Sequence, residues 1–448
     1  MRTLRRTRSL CPECLRTVDA RYVSGDDADV VYLEKSCPAH GSFRTPVWVY
    51  QDGTPLFSEW SNNTPPTYPQ KPATSYGQGC PFDCGLCPDH AQQTCCALIE
   101  VTRRCNMCCP LCYASSGGTS IDPGMEEVAE MLATLHTHGG RANVQLSGGE
   151  PSVRDDLPDI IRLVHDKGFP FVQLNTNGLR LAREVGYATE LKQAGLDLVY
   201  LQWDGLREST FTLLRGASYL ADKEAAVQNC LKTGLSVVLV ATIVRGVNND
   251  ELGDLLHKAL AFGPHLRGLH LQPAASFGRY PWNEKTIRRL TLPEIMHALE
   301  KQSNGLVRAQ DFQPPGSEHA LCSFSACYQR TDDNRLKRVA SEQGCCSCHT
   351  EAQQARDFVA RHWGGLPLAP APEPKGQGRL DAFDAFLAAS NLRQRFTISA
   401  MAFQDAYSLD LERVRRCHIH IVTRDKHLVP FCAYNMTSIS GVPLYRKD

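Results

Sequence analysis

Three cysteines stand close together in the stretch RRCNMCCPLCYA, namely Cys105, Cys109 and Cys112. Their C-x3-C-x2-C spacing brings three thiolates into one tight loop. Three thiolates bind three irons of a [4Fe–4S] cube and leave the fourth iron open for a reacting molecule. A zinc site is the alternative, although a lone three-cysteine loop beside an aromatic residue, Tyr113, fits zinc less well. Cys108 lies in the same loop, and choosing it in place of Cys109 would give C-x2-C-x3-C instead.

A second set of potential metal ligands lies near the beginning of the chain, in CPEC and CPAHG. It comprises Cys11, Cys14, Cys37 and His40. Three cysteines and one histidine on paired knuckles fit a tetrahedral structural site for zinc, or for iron in a rubredoxin-like setting. Such a site would stabilise a segment that is too small to bury a core of its own.

The composition is that of a globular protein, with 42% hydrophobic and 21% charged residues in 448. Lysine plus arginine equals aspartate plus glutamate at 48 each, so no bulk charge favours nucleic acid. The sequence has neither a secretory signal nor an apolar run long enough for a transmembrane segment, so we expect a cytoplasmic protein. In a reducing compartment, clustered cysteines indicate metal sites rather than disulfides.

The elements that must position the cysteine loop alternate between strands and helices. Short runs rich in Val, Ile and Leu predict six strands, at 97–102, 142–148, 171–176, 196–204, 236–244 and 266–273. Helix-like stretches between them predict a parallel sheet of the α/β class, arranged as a partial (β/α)6 barrel with its functional loops at the carboxyl ends of the strands. We expect four parts: a metal-knuckle segment (1–63), a cysteine-rich loop (64–96), the barrel (97–280) and a C-terminal domain (281–448).

The cysteine motif, followed by SGGEP at 147–151, resembles the signatures of the radical S-adenosylmethionine (radical SAM) superfamily. The resemblance implies that the open iron chelates SAM and that one electron releases a 5′-deoxyadenosyl radical, which takes hydrogen from a substrate. It also implies residues that bind this cofactor. Expected at the methionine ammonium are Gly148, Gly149 and Glu150, and at the ribose Asn175, Asn177, Gln202 and Asp204. Arg215 is expected at the SAM carboxylate, and Tyr113 beside the cluster.

A narrower resemblance rests on CPFDCGLCPDHAQQTC (80–95), CSFSAC (322–327), RCHIHIV and PFCAYN. These segments are similar to a radical SAM subgroup that contains archaeal tetraether lipid synthase and a pterin C-methylase. Members of it carry auxiliary clusters, and the resemblance implies two here. The second cluster would use Cys80, Cys84, Cys87 and Cys95, with Cys96 as an alternative to Cys95. The third would use Cys322, Cys327, Cys417 and Cys432; against it, His418 stands where a second cysteine is expected, and Cys345, Cys346 and Cys348 offer rival thiolates.

The function expected from this resemblance is formation of a C–C bond, by radical coupling or C-methylation, on a lipid or small-molecule substrate. An external reductant of the flavodoxin or ferredoxin type would supply the electron. Two alternatives remain open: a radical SAM maturase of a peptide, and a non-catalytic iron–sulfur electron-transfer protein. A peptide maturase would normally require a leader-peptide-binding domain, whereas the first 50 residues read as a metal knuckle.

Overall fold

The computed structural model describes residues 2–25, 29–62, 64–118, 121–282, 289–331, 335–339, 351–364 and 394–446. The rival cysteines at 345, 346 and 348 lie outside these ranges. Every cysteine within them is free. In the part of the chain that is described, no helix combines the length and apolar character needed to cross a membrane.

The strands and helices follow one another in two blocks of different character. The strands are β1 (Thr3–Leu10), β2 (Thr17–Ser24), β3 (Val30–Cys37), β4 (Gly41–Val49), β5 (Cys96–Thr102), β6 (Asn143–Gly148), β7 (Val172–Thr176), β8 (Leu198–Gln202), β9 (Ser236–Ile243), β10 (Leu266–Pro273), β11 (Ser323–Arg330), β12 (Leu336–Arg338), β13 (Arg395–Met401), β14 (Ile419–Val422) and β15 (Leu428–Pro430). The helices are α1 (Met125–Thr134), α2 (Leu157–Asp166), α3 (Leu179–Arg183), α4 (Tyr187–Gln193), α5 (Glu208–Arg215), α6 (Leu220–Lys232), α7 (Leu252–Ala261), α8 (Leu292–Gln302) and α9 (Glu351–His362). Two further helical segments, Leu411–Arg415 and Phe431–Tyr434, are short.

Strands β5 to β10 are the six predicted strands, and they lie side by side and parallel in chain order. Apolar residues on these strands, such as Val144 and Leu146 on β6, belong to the core formed with the helices that cover the outer face of the sheet. The fourth predicted strand, 196–204, is too long, since β8 ends at Gln202. The α/β class predicted from the sequence is confirmed.

The same sheet continues at both edges with strands from the last third of the chain. β14 pairs in parallel with β5, and β15 follows it in antiparallel orientation. At the other edge, β13 pairs in parallel with β10, followed by β11 and β12. The backbones of these strands, which belong to the C-terminal part expected from residue 281, thus complete the edges of the central sheet.

The N-terminal segment is an antiparallel sheet of β1 to β4 that packs against the C-terminal part of the chain. The contact between the two parts centres on Asp410, which is fully buried. The carboxylate accepts hydrogen bonds from Arg5 Nη2 (2.9 Å), Thr7 Oγ1 (2.5 Å) and Tyr22 Oη (2.6 Å). It also accepts one from the backbone N–H of Glu412 (3.0 Å), at the start of a short helical segment. One buried charge thus joins the first sheet to the end of the chain.

We predict that Asp410→Asn destabilises the protein by about 1.5–3 kcal/mol, the usual value for hydrogen bonds to a charged group. The amide cannot accept from all four donors, and Arg5 loses its counter-charge. The midpoint of urea unfolding measures the effect. Asp19→Asn, on the exposed side of β2, is the matched control, and equal midpoints for the two variants would contradict the prediction.

Candidate active site

A cavity of about 1830 Å³ runs along the inner face of the central sheet, and the wall includes residues of every strand from β5 to β10 and of β13. Cys105, Cys109 and Cys112 line it at the carboxyl ends of the strands. Sites for a single small ligand usually measure about 300–1000 Å³. This cavity therefore has room for a cluster, a cofactor and a second small molecule.

The loop that carries the three cysteines is held against the end of β6 by backbone contact. The N–H of Gly149 donates to the carbonyl of Thr102 (2.7 Å), and that of Glu150 donates to the carbonyl of Arg104 (2.9 Å). A Cβ at Gly149 would lie 2.1 Å from the Arg104 oxygen, and one at Gly148 would lie 2.1 Å from the Thr102 oxygen. From the sequence, these glycines were expected to let the methionine ammonium of SAM approach the backbone closely. The structure shows that the glycines admit the cysteine loop itself.

Arg279, which sequence reasoning missed, fixes the other side of the same loop. Its backbone forms a two-hydrogen-bond bridge with Cys112, with both N–H···O distances at 3.0 Å. Its guanidinium donates to the carbonyls of Cys109 (3.0 Å) and Ser116 (2.6 Å). The preceding Gly278 has φ +52°, and a Cβ there would lie 2.6 Å from the Cys112 oxygen. The sequence feature that could have identified this contact is the pair Gly278–Arg279 just after β10, the sixth parallel strand.

The carboxylate of Glu150 is buried and largely satisfied by the protein. Oε1 accepts from Ser152 N–H (3.0 Å), Ser152 Oγ (2.6 Å) and Thr176 Oγ1 (2.6 Å), and Oε2 accepts from Asn177 N–H (2.6 Å). A carboxylate offers about four acceptor directions. Glu150 thus ties the ends of β6 and β7 together, and only Oε2 has room for a further donor from the cavity.

Two asparagines near the end of β7, Asn175 and Asn177, line the cavity on the side where the cysteine loop lies. Asn175 Nδ2 donates to Ser147 Oγ (3.2 Å), which also lies 3.1 Å from the hydroxyl of Tyr113. Asn177 Nδ2 donates to Asn106 Oδ1 (2.7 Å), within the cysteine motif. Burial raises the pKa of Tyr113 to about 12, so its hydroxyl stays neutral.

Arg215 and Asp204 form a buried ion pair, so each of these two expected SAM contacts has a partner within the protein. Arg215 Nε and Nη2 donate to the two carboxylate oxygens of Asp204 at 2.6 and 2.8 Å. Asp204 is 0% exposed and is absent from the cavity wall, so it does not reach a ribose. Burial opposes the charged guanidinium, but Asp204 outweighs it and the pKa of Arg215 is raised. Because Arg215 Nη1 also donates to the carbonyl of Leu111 (2.8 Å), the pair anchors the cysteine loop.

Gln202 lines the cavity, but its amide is engaged by neighbouring groups. Lys223 Nζ, fully buried on α6, donates to Gln202 Oε1 (2.7 Å) and to the carbonyl of Asn177 (2.5 Å). The Gln202 amide nitrogen donates to Asp204. Burial lowers the pKa of Lys223 to about 8, against the opposing charge of Asp204. Lys223 therefore links the ends of the third and fourth parallel strands, a role that nothing in its helix-like sequence indicated.

The three thiols of the motif fit an iron–sulfur cluster because one loop presents all of them to one cavity. Burial raises the pKa of Cys105 to about 12 and also raises the pKa of Cys109. The free thiols of Cys105 and Cys109 thus stay protonated, and iron must displace those protons on binding.

The cysteine-rich loop before β5 brings Cys80, Cys84 and Cys87 together. A hydrogen bond with Cys80, together with burial, raises the pKa of Cys84 well above its usual value, and the charge of Cys87 adds to this. Cys95 is placed elsewhere: it lies directly before β5 and lines the large cavity with Cys96. The structure thus separates Cys95 from the other three, because the intervening turn directs the chain into the sheet.

Three of the four cysteines expected at a third cluster line one small cavity: Cys322, Cys417 and Cys432. His418 borders the same cavity. Cys327 lies five residues along β11 from Cys322, a separation of about 16 Å at the usual strand rise, and it lines the large cavity instead. The structure thus places Cys322 and Cys327 on the walls of different cavities.

The N-terminal knuckles bring four potential metal ligands close together. The ligand atoms of Cys11, Cys14, Cys37 and His40 all lie within 4.8 Å of one another. His40 Nδ1 is 3.5 Å from Cys11 Sγ and 3.4 Å from Cys37 Sγ, and the sulfurs of Cys14 and Cys37 are 4.0 Å apart. Tetrahedral zinc with bonds of about 2.0–2.3 Å requires ligand atoms about 3.5–3.8 Å apart, so the four residues fit such an ion.

We predict that Gly149→Ala lowers cluster retention about tenfold, because overpacking against the Arg104 carbonyl costs about 1–3 kcal/mol and shifts the cysteine loop. Iron content and visible absorbance after anaerobic reconstitution measure the loss. Gly118→Ala, in the β5–α1 connection that carries the three cysteines and with no atom within 4 Å of its added Cβ, is the control. Equal iron content in both variants would show that this close approach is not needed.

Comparisons with known proteins match two parts of the chain described above, the parallel sheet with its cysteine loop and the N-terminal ribbon. Residues 99–259 match the radical SAM superfamily, and residues 3–49 match the HMPTM N-terminal zinc ribbon domain. The chain is 33% identical over 484 aligned residues to 7,8-dihydro-6-hydroxymethylpterin dimethyltransferase of Methanocaldococcus jannaschii, covering 96% of this chain and 93% of that protein.

Other similarities are partial. A probable GTP 3′,8-cyclase of Methanothermobacter thermautotrophicus is 32% identical over 162 residues, and the match covers 35% of this chain and 51% of the relative. Among solved structures, Streptococcus suis SuiB bound to precursor peptide SuiA aligns over 48% of this chain and 46% of that chain, with a TM-score of 0.40 and 13% identity. The near-complete alignment with the pterin dimethyltransferase, together with the superfamily match over the cysteine loop, shows that this chain belongs to the radical SAM superfamily of enzymes, in the family of that dimethyltransferase.

Proposed function

We propose that this radical SAM enzyme methylates carbon on a pterin-type heterocycle. The observation that carries the proposal is the polar interior of the sheet. Asn143, Gln145 and Gln173 on β6 and β7, and His270 with Ser399 across the cavity, all line it. Similar barrels usually fill these positions with branched apolar side chains.

These side chains favour a polar substrate over a lipid. Gln173 is 3% exposed, and its Oε1 has no hydrogen-bond partner. Gln173 Nε2 donates to Gln145 Oε1 (2.5 Å), so the two amides form a row along the wall. An acyl chain against such groups would leave each unmet hydrogen bond at a cost of about 1–3 kcal/mol, whereas a heterocycle with N–H and C=O edges would satisfy them.

Aromatic side chains give the same cavity a surface for a flat ring. Tyr200 and Trp363 stack at 5.8 Å between ring centroids with an interplanar angle of 29°. Tyr200 also lies 5.4 Å from the ring of His270, whose Nδ1 is 2.8 Å from Ser399 Oγ. Aromatic faces of this kind bind planar ligands by offset stacking.

In this proposal Cys105, Cys109 and Cys112 hold the catalytic cluster. Bound there, the cluster supplies the electron that cleaves SAM. Glu150, through Oε2, and the cavity-facing amides at the ends of β7 and β8 hold the cofactor beside it. The Asp204–Arg215 pair acts indirectly, because it fixes the backbone of the cysteine loop.

The remaining metal sites belong to the same proposal. Cys80, Cys84 and Cys87 hold one auxiliary cluster, and Cys322, Cys417 and Cys432, next to His418, hold another. Zinc occupies the N-terminal ribbon, with iron as the alternative. Electrons come from an external reductant of the flavodoxin or ferredoxin type.

We expect the anaerobically reconstituted protein, given a reductant, 7,8-dihydro-6-hydroxymethylpterin, SAM as the radical source and a methyl donor (further SAM or a one-carbon folate), to form 5′-deoxyadenosine and a C-methylated pterin, both detected by mass spectrometry. Cys109→Ala should abolish both products. Formation of 5′-deoxyadenosine with a peptide or a lipid, and none above background with the pterin, would contradict the substrate class. An iron-replete protein that never cleaves SAM would contradict the proposal as a whole.

The amide row generates a second prediction. Gln173→Leu should raise KM for the pterin about tenfold or more with a smaller change in kcat, because its hydrogen bond is made to the bound ring in the ground state as well. Gln193→Leu, on the exposed side of α4, is the matched control. Unchanged KM in Gln173→Leu would remove this residue from substrate recognition.

A further inference from the structure

Helix α9 lies across the end of the cavity that is opposite the cysteine loop. Val359, Ala360 and Trp363 pack against apolar side chains of β7 to β9, including Phe171 and Leu198 at or just before the start of their strands. The amino-terminal ends of the parallel strands therefore meet α9, whereas the cysteine loop lies at their carboxyl ends. The cavity has two chemically different ends.

The α9 end contains hydrogen-bond donors without acceptors. Arg361 Nε, Arg395 Nε and Nη1, and Trp363 Nε1 are buried atoms with no hydrogen-bond partner, and all three residues line the cavity. Among the described residues, neither arginine has an ion-pair partner, and Arg361 makes no such pair with Asp357 one turn earlier on α9. Asp357 lines the cavity as well, so this end carries two guanidinium groups against one carboxylate, together with an excess of donors.

Arg395 occupies a defined position relative to the polar interior. It begins β13, and Ser399 follows on the same face four residues later, about 13 Å along the strand at the usual rise. Ser399 pairs with His270 across the sheet. A ligand that occupies the ring site beside His270 and Tyr200 therefore points one edge toward the cysteine loop and the other toward Arg395.

We propose that the α9 end of the cavity is an anion subsite that binds a phosphate or carboxylate group attached to the substrate ring. Guanidinium groups bind both anions through directed, charge-assisted hydrogen bonds, and an anion supplies the acceptors that these buried donors lack. The inference rests on the proposed function for the identity of the ring, but the anion subsite itself depends only on Arg361, Arg395 and Trp363.

Calorimetric titration of the reconstituted full chain under anaerobic conditions tests the proposal. The probes are 7,8-dihydro-6-hydroxymethylpterin, its diphosphate ester, pterin-6-carboxylate and inorganic pyrophosphate alone. We expect the ester, the carboxylate or both to bind about tenfold or more tightly than the alcohol, and the one preferred identifies the anion. The double variant Arg361→Gln/Arg395→Gln should lose this preference and bind the alcohol unchanged. Arg162→Gln, an exposed arginine on α2 paired with Asp159, should behave as the wild type.

The outcomes separate the two proposals. If the alcohol binds but neither anionic form binds more tightly, or if the double variant folds and keeps the preference, the anion subsite is overturned and the pterin assignment stands. If pyrophosphate binds and requires the two arginines while no pterin binds, the subsite stands and the ring assignment fails. Should the double variant not fold, as judged by circular dichroism, the wild-type preference and competition by pyrophosphate still decide.

Discussion

The cysteine loop has almost no regular secondary structure of its own, so its backbone groups must be paired from outside. An unpaired buried N–H or C=O costs about as much as a lost hydrogen bond, and this loop lies at the wall of a deep cavity. Its partners come from the end of β6, from Arg279 after β10, and from Arg215 and Leu214 on α5. The three thiols keep their relative positions only while these distant elements are in place. The central sheet is thus the frame for one irregular segment.

Several side chains that resemble cofactor contacts in sequence prove to be parts of that frame. Arg215 is a bidentate cation, but its fork is filled by Asp204, eleven residues earlier in the chain. Both residues follow the fourth parallel strand, and sequence reasoning assigned both to SAM. Whether Arg215 pairs with a residue of the protein or with a cofactor depends on how deeply it is buried. Its burial depends on how α5 packs, and no local sequence pattern reports that packing.

The parallel strands and the two strongest metal motifs were predictable because each depends on local spacing or periodicity. The ends of the sheet were not predictable. β14 is four residues long and lies beside β5 although 316 residues separate Thr102 from Ile419, so nothing in either segment indicates the other. The same limit explains the auxiliary cysteines: Cys322 and Cys327 are neighbours in sequence, yet an extended strand carries them to different cavities, while Cys417 and Cys432 come together because β14 and β15 form a hairpin between them.

The pairing of β5 with β14 has a consequence for how the protein is made. The strand that leads directly into the cysteine loop has an unpaired edge until residues 419–422 have been synthesised. Contacts of such long sequence separation form late, because loop closure must precede them. Through Asp410, the first strand of the ribbon likewise waits for the end of the chain. The edge of the strand that leads into the cysteine loop can therefore be covered only once residues 419–422 have been synthesised, whereas the ribbon holds its own four ligands within the first forty residues.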